Sequence, residues 1–567
     1  MLKKNLSKII LAIILAFAAI TRLLLLGNVP SAITGDELFY ILTIKSVALT
    51  GHAFNSSWNI LPILFFKYPT PHVQAELPYL LLYPIISIAP FSLLTSKITY
   101  ALLSIATVFV IYLLGEKLFD KRTGLIAAAI GAINPWLFFI GRTSYEVVPA
   151  TFFYLLGIYL LLREKGNKIL YSFPIFVLAF YSYIGTKVCL VPIVLVTSVY
   201  AWYINKRKNT SKYAVLNLLC ILFLLFFATS LSGNARTSDL VTPFSPEIAS
   251  HVDNIRKVSI APNIIGSLLN NKFTVFANIE IIKTIKAFSF DYLFFTGDNF
   301  VSLYTHGLLY FVDLFFVTIG VMYLFVENRK KLLFIAGLMF AGVLPQIMFN
   351  SNEIFSPHLS LFLVFLIIPI AFGISKVTER YKNIFVSIVI LGIYTLSFIN
   401  FLNIYFFQFP LRGHFDFPSR ELSYYVKIAS QKSPVDLYVK SPVDAFSKYV
   451  YYTNALNKNN YSAIERAFTN KDYKLGNVTF LSCPDIMNEK SKTNVVIYNN
   501  GECPPIENSL PSLKISALLD GGEIYQIYND KFCHNYALNT YPSHIKLSDF
   551  NVESLTQQKF CQTFISR

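Results

Sequence analysis

The residues best suited to chemistry gather at a few points of the chain. The first is TGDELFY, residues 34–40, where Asp36 and Glu37 stand side by side after a long apolar run. A carboxylate there can take the proton of a hydroxyl or hold a metal ion. Thr34 and Glu37 also have the spacing of a capping box, and a helix start favours negative charge. The box accounts for Glu37 better than for Asp36. Neighbours at i and i+1 diverge on a helix, so Asp36 is the stronger candidate for a base. The second point is GRTSYE, residues 141–146. Arg142 is costly near a bilayer and offers a forked donor set that suits phosphate. Glu146 is a second candidate carboxylate, or with Thr143 the capping box of a following helix. The third is YSYIGTK, residues 181–187, where Lys187 either meets an anion or snorkels at the interface. His306 and His358 each follow a long loop, and a lone histidine is more often structural.

Long apolar elements must position these groups. Apolar runs cover about 9–26, 98–115, 124–140, 147–162, 169–184, 188–204, 213–231, 308–326, 332–349, 359–375 and 383–404. The first is longer than the core of a signal peptide and has no convincing cleavage site, so it reads as a transmembrane helix. Between alternate runs lie MLKKNLSK, GEKLFDKR, REKGNK, NKRKNTSK, ENRKK and SKVTERYK, each with three or four Lys or Arg. All six clusters fall on one side if every run crosses once. The positive-inside rule then predicts eleven crossings, a cytoplasmic N-terminus and an outer C-terminus. All the candidate residues fall at outer helix ends or in outer loops. The outer loop 27–97 is proline-rich and predicts surface helices, one over Asp36–Leu49. In the outer loop 232–307, KTIKAFSFDYLFFTGD predicts an interfacial helix and a turn at Gly297–Asp298.

Composition agrees. The chain of 567 residues is 54% hydrophobic and 14% charged, against about 25% charged in soluble domains. Its net charge of +16 resides in the inter-helix clusters, which argues against nucleic-acid binding. Residues 405–567 change character, with β-branched and aromatic runs at 435–441, 477–483, 494–499 and 523–529. These predict a small soluble α/β domain, so the expected division is 1–404 in the membrane and 405–567 outside. Of six cysteines, Cys189 and Cys220 lie in apolar runs; Cys483, Cys503, Cys533 and Cys561 lie in the outer domain. Four there predict two disulfides, with three pairings open, in an oxidising compartment.

The order of these motifs resembles that of the GT-C glycosyltransferases of the protein-mannosyltransferase and aminoarabinose-transferase type, a family 39-like group. The matching segments are GDE after the first helix, RTSYE after NPWLFFIG, YSYIGTKVCLVP, DYLFFTGDN with LYTHGLLY, and SPHLSLFLVFLIIP. They follow the family's order through residues 1–375. The resemblance implies a GT-C fold of about eleven transmembrane helices in the cell membrane. It implies a polyprenyl-phosphate sugar donor and an inverting transfer to a protein, glycan or lipid hydroxyl. Asp36 would be the general base, with Glu37 and Glu146 as accompanying carboxylates. Arg142, Lys187, His358 and Lys67 would lie toward the donor phosphate. Two departures stand out. The first loop reads FFKYPTPHVQAELPY, with Lys67 near but not before a Pro-Pro pair, and His358 is followed by LSLF where relatives often carry Arg. A divalent metal is left open, since the first loop has no DxD pair. Rival readings are a transporter or flippase, which calls for polar or broken helices at mid-depth, and a non-catalytic scaffold indifferent to Asp36.

Overall fold

The structure, a computed structural model, describes residues 2–54, 75–205, 208–232, 242–260, 262–349, 354–412, 416–484, 494–504, 510–536, 538 and 545–567. The first part of the chain is helical: α1 (Leu2–Leu23), α2 (Gly35–Thr50), α3 (Leu77–Ile88), α4 (Leu93–Leu118), α5 (Lys121–Ile133), α6 (Pro135–Ile140) and α7 (Val147–Arg163). There follow α8 (Ser172–Phe180), α9 (Leu190–Asn205), α10 (Lys208–Ser232), α11 (Pro246–Lys257), α12 (Asn263–Leu269) and α13 (Lys272–Ala287). The last helices of this part are α14 (Phe311–Glu327), α15 (Arg329–Met348), α16 (Ser360–Tyr381) and α17 (Ile384–Asn403). Each apolar run expected from the sequence is helical over most of its length. Among the described residues, six helical segments are long and apolar enough to cross a membrane: Leu6–Leu23, Leu93–Leu118, Gly185–Ile204, Arg329–Met348, Ser356–Tyr381 and Ile384–Gln408.

α16 is the centre of the bundle, buried along nearly its whole length. It meets α14 at a glycine pair. A Cβ on Gly320 would stand 2.0 Å from the Pro369 carbonyl oxygen, and one on Gly373 2.1 Å from that of Phe316. Only glycine lets the two backbones approach so closely, a common device between membrane helices. α1 and α17 lie at the margin, with Ile13, Ile20, Leu391 and Leu396 exposed, as a lipid-facing surface requires.

The run 124–140 is not one helix. Asn134 ends α5, and its side chain caps α6 by accepting from the Leu137 N–H at 2.8 Å. Pro135 has no N–H to continue the ladder, and the Trp136 N–H donates instead to the Leu308 carbonyl. The last carbonyls of α5 are therefore left without helical partners. Arg22 of α1 supplies two of them, donating to Gly131 and Ala132 at 3.1 and 3.0 Å, and the Tyr310 hydroxyl supplies Ile133 at 2.6 Å.

The segment expected as the first outer loop also differs from expectation. The helix expected over Asp36–Leu49 forms, as α2, but it is buried from Glu37 to Val47 and packs on α3. The remainder of the chain covers it. Tyr452 Oη accepts from the Ile33 N–H at 3.2 Å, Arg420 donates to the Ser31 carbonyl, and the Ser46 and Tyr461 hydroxyls meet at 3.1 Å.

That remainder is a mixed α/β unit. Its strands are β1 (Val435–Val439), β2 (Lys474–Leu475), β3 (Val478–Ser482), β4 (Val495–Asn499), β5 (Leu513–Ser516), β6 (Glu523–Tyr528) and β7 (Ile565–Ser566). They form one sheet in the order β2-β3-β1-β4-β6-β5-β7. β3, β1 and β4 are parallel; the other pairings are antiparallel. The helices here are α18 (Phe417–Ala429), α19 (Pro442–Tyr452), α20 (Tyr461–Asn470) and α21 (Gln557–Phe564). All four runs expected as strands lie in this sheet. Of the three possible cysteine pairings the structure has Cys483–Cys503 and Cys533–Cys561.

Candidate functional site

The first turn of α2 carries both acids, and their surroundings are opposite. Thr34 caps the helix: its hydroxyl accepts from the Glu37 N–H, and its own N–H donates to Glu37 Oε2 at 2.7 Å. Glu37 Oε1 accepts from the Ser144 hydroxyl at 2.8 Å and from the Ser144 N–H. Both carboxylate oxygens are thus engaged, and the side chain is buried. Glu37 is a clamp joining α2 to the 141–146 turn. Asp36 is exposed.

The capping box expected at Thr143 and Glu146 does not form. Glu146 is itself the N-cap residue of α7, without a side-chain bond to that helix. The Tyr40 hydroxyl donates to Glu146 Oε2 and accepts from the Ala75 N–H at 2.9 Å. Burial, with the Glu146 charge second, pushes the Tyr40 phenol well above its ordinary value. Tyr145 lies between these acids, and burial, then Tyr183, then the Asp36 charge push its phenol up as well. From Tyr145 a wall of rings extends: Phe300 at 5.3 Å and Tyr183 at 6.1 Å between centroids. It continues through Phe355, 5.2 Å from Phe300, to His358, 5.2 Å from Phe355 and 5.3 Å from Phe349. His358 Nδ1 is buried without a hydrogen-bond partner. The turn that holds His358 is tied down by Asp298, which accepts from the Ser356 N–H at 2.9 Å and the Val301 N–H at 2.8 Å. Burial raises the Asp298 carboxyl.

Lys187 faces Glu76, Nζ to Oε2 at 3.4 Å, and lies 4.7 Å from the centre of the Phe180 ring. Glu76, nearly buried, is a partner the sequence reading missed; its only signal was an acid in the otherwise apolar QAELPY.

Arg142 sits elsewhere in energetic terms. It is fully buried. One terminal nitrogen donates to the carbonyls of Thr21 and Arg22, both at 2.8 Å, and the other to that of Val29 at 3.0 Å. Its Nε donates to Tyr405 Oη at 3.0 Å. Thr21 and Arg22 lie in the last turn of α1, where carbonyls lack helical partners. Arg142 therefore caps α1, as Arg22 caps α5. Its guanidinium makes four donor contacts inside the protein.

His306 is separate from the ring wall at His358. It stacks on Phe409 at 5.8 Å, lies 5.1 Å from the Phe401 ring, and burial pushes its imidazole down to about 4. Lys67 lies outside the described residues. Among the described residues no three His, Cys, Asp or Glu side chains converge as a metal site requires.

No family model and no curated protein matches this chain. Solved structures do align with it at low identity. The oligosaccharyltransferase of Archaeoglobus fulgidus in its apo form aligns with a TM-score of 0.45 and 12% identity, over 80% of this chain and 64% of that one. The same organism's oligosaccharyltransferase AglB, in complex with an inhibitory peptide and a dolichol-phosphate, gives 0.47 and 11%, over 88% and 70%. ArnT of Cupriavidus metallidurans bound to undecaprenyl phosphate gives 0.46 and 9%, over 92% and 98%. This chain thus spans less than two thirds of the apo oligosaccharyltransferase.

Proposed function

We propose that this protein is an integral membrane glycosyltransferase that moves a sugar from a polyprenyl-phosphate donor to an acceptor hydroxyl on the extracytoplasmic face, with inversion. The observation that carries the reading is the contrast among four neighbouring acids. Glu37, Glu76 and Glu146 are buried and engaged by a serine, a lysine and a tyrosine. Asp36 alone of the four is exposed. It rides on a helix start whose dipole favours its ionised form, beside the ring wall from Tyr145 to His358. A carboxylate so placed can accept the proton of an approaching hydroxyl as the hydroxyl attacks the anomeric carbon. The lipid phosphate leaves with the bonding pair, and a cation beside it stabilises the charge that develops.

Lys187 is the basic side chain best placed for that task. It is partly exposed, and its ion pair with Glu76 is long enough to be exchanged for a phosphate. His358 borders the same wall. Arg142 acts from beneath, fixing the end of α1 and hence the segment that leads into Thr34 and Asp36. The six basic clusters support the outer location of the site and of the domain that covers α2.

The test is a transfer assay with membranes and a panel of polyprenyl-phosphate sugars. Asp36→Asn keeps the helix start, since the capping box is made by Thr34 and Glu37. It is expected to lower transfer by roughly 10²–10⁴-fold, the contribution of a general base, with donor binding intact. A variant that retains more than about a tenth of wild-type transfer removes Asp36 from the mechanism.

A further inference from the structure

A second feature lies apart from the candidate site. α1, α5, α16 and α17 enclose a groove of about 610 Å³, lined by Ile10, Ile14, Ile126, Ile130, Ile390 and Leu391 among others. Lys121 and Arg122 line its mouth at the start of α5, together with Thr378 and Ser387. Both basic side chains are exposed, and among the described residues neither makes an ion pair. The acids close to them in sequence or at the same helix ends are occupied. Asp120 caps α5 through the Thr123 N–H at 2.8 Å, and Glu379 lies 3.9 Å from Lys376.

The shape of the groove follows from how α1 and α17 run. They meet toward their C-terminal halves, where the Phe17 and Phe398 rings lie tilted at 5.6 Å between centroids. Below that contact they part, and the opening between Ser7–Ile14 and Ser387–Tyr394 exposes the side of α5. The deep end is closed by Tyr394, whose hydroxyl is bound to Asp313 at 2.6 Å. The lining of α5 runs from Lys121 to Ile133. Twelve residues of helix rise roughly 18 Å, close to half of a hydrocarbon core of about 30 Å. The groove therefore has the depth of one leaflet, an apolar wall throughout, and paired cations where the headgroups of that leaflet lie.

We propose that this groove binds one anionic diacyl phospholipid, an acyl chain against α5 and the phosphate at Lys121 and Arg122. The leaflet is the one that holds Lys121, which the basic-cluster pattern makes the cytoplasmic one. A polyprenyl chain is a poorer fit, since it outruns a single leaflet. The site is independent of the transfer reaction proposed above and stands if that reading fails.

The full-length protein would be reconstituted in nanodiscs of phosphatidylcholine with a minor share of phosphatidylglycerol, then released and weighed with its retained lipid by native mass spectrometry. Two basic residues near an anionic lipid, at about 1 kcal/mol each, give an expected preference for phosphatidylglycerol of roughly thirtyfold. Lys121→Gln combined with Arg122→Gln should bring the two lipids to near parity. Ala129→Trp, which fills the groove and leaves the rim charges in place, should release both. Thermal melting of each variant checks its fold. Equal retention of the two lipids by the wild type, an unchanged preference in the double variant, retention indifferent to Ala129→Trp, or a polyprenyl phosphate in place of the phospholipid would overturn the proposal.

Discussion

Arg142 offers the sharpest separation between a structural and a ligand-binding cation. Arg142→Leu keeps much of the side-chain volume and removes the guanidinium. The structure says what is then orphaned: the carbonyls of Thr21, Arg22 and Val29 and the hydroxyl of Tyr405. A buried acceptor left unsatisfied costs about 1–3 kcal/mol. Three carbonyls, two of them in fully buried contacts, set the loss at about 5 kcal/mol, similar to breaking a buried ionic contact. For a large domain each kcal/mol shifts melting by about 2–4 °C, so a fall of roughly 10 °C is expected. The measurement is the apparent Tm of the purified protein at a fixed scan rate, since membrane-protein melting is often irreversible. Arg142→Lys, with a compact ammonium in place of the planar fork, should recover only part of the loss. A cation that serves only a ligand predicts the reverse: unchanged melting and weakened donor binding. A Tm within about 2 °C of wild type, which corresponds to less than 1 kcal/mol, would refute the capping account.

Glu37→Ala should also act on stability, because it strands the Ser144 and Thr34 donors; a loss of about 2–4 kcal/mol is expected in chemical denaturation. Cys533→Ser opens a loop with a sequence separation of 28, and loop entropy predicts a loss of about 3.5 kcal/mol in the unfolding of the α/β unit, while the melting of the helical part changes little. His306 sets a pH dependence. Its folded pKa, about 4, lies below the unfolded value of about 6.5, so the unfolded chain takes up the proton first. Its contribution is full above about pH 6.5 and is lost as pH falls from there to 4. Asp298, raised by burial, runs the other way, so the quantity to read is the difference in Tm between wild type and His306→Gln at pH 7 and pH 5, expected to shrink as pH falls.

Much of the architecture was legible in the sequence because it rests on composition along the chain. Apolar runs specify helices in a membrane protein, and alternating β-branched and aromatic residues specify strands, so both the helical part and the sheet around 435–439 were within reach. The short strands Leu513–Ser516 and Ile565–Ser566 were not, since four residues and two carry too little pattern. The burial of α2 was not either, because the surface that covers it arrives some 400 residues later, from Arg420, Tyr452 and Tyr461. The Asn134–Pro135 break lies inside the run 124–140, which the sequence alone reads as one crossing, and the carbonyls it orphans are met by an arginine over 100 residues away. At the candidate site the pattern T-x-x-E assigned Glu37 to its cap correctly. The same pattern at Thr143–Glu146 misled, because the tertiary partner Tyr40 claims the glutamate first. Spacing can identify which residues are able to cap a helix; which one does is decided by what packs against it.

The contacts of Arg22 and Arg142 also bear on how α1 settles as the chain is made. As α1 leaves the ribosome it carries a charge near its C-terminal end, and an arginine within a lone membrane helix costs about 2.5–3.5 kcal/mol by insertion measurements. The carbonyls that relieve it, on Gly131 and Ala132, are not synthesised until about 110 residues later. At 5–20 residues per second that is an interval of roughly 5–20 seconds. Through it Arg22 must reach the headgroup region and hold α1 shallow or tilted. Arrival of α5 lets the charge withdraw, and Arg142, next in line, then closes the end of α1. The nascent first helix is thus a waiting piece, drawn to its final depth only when a later segment comes to meet it.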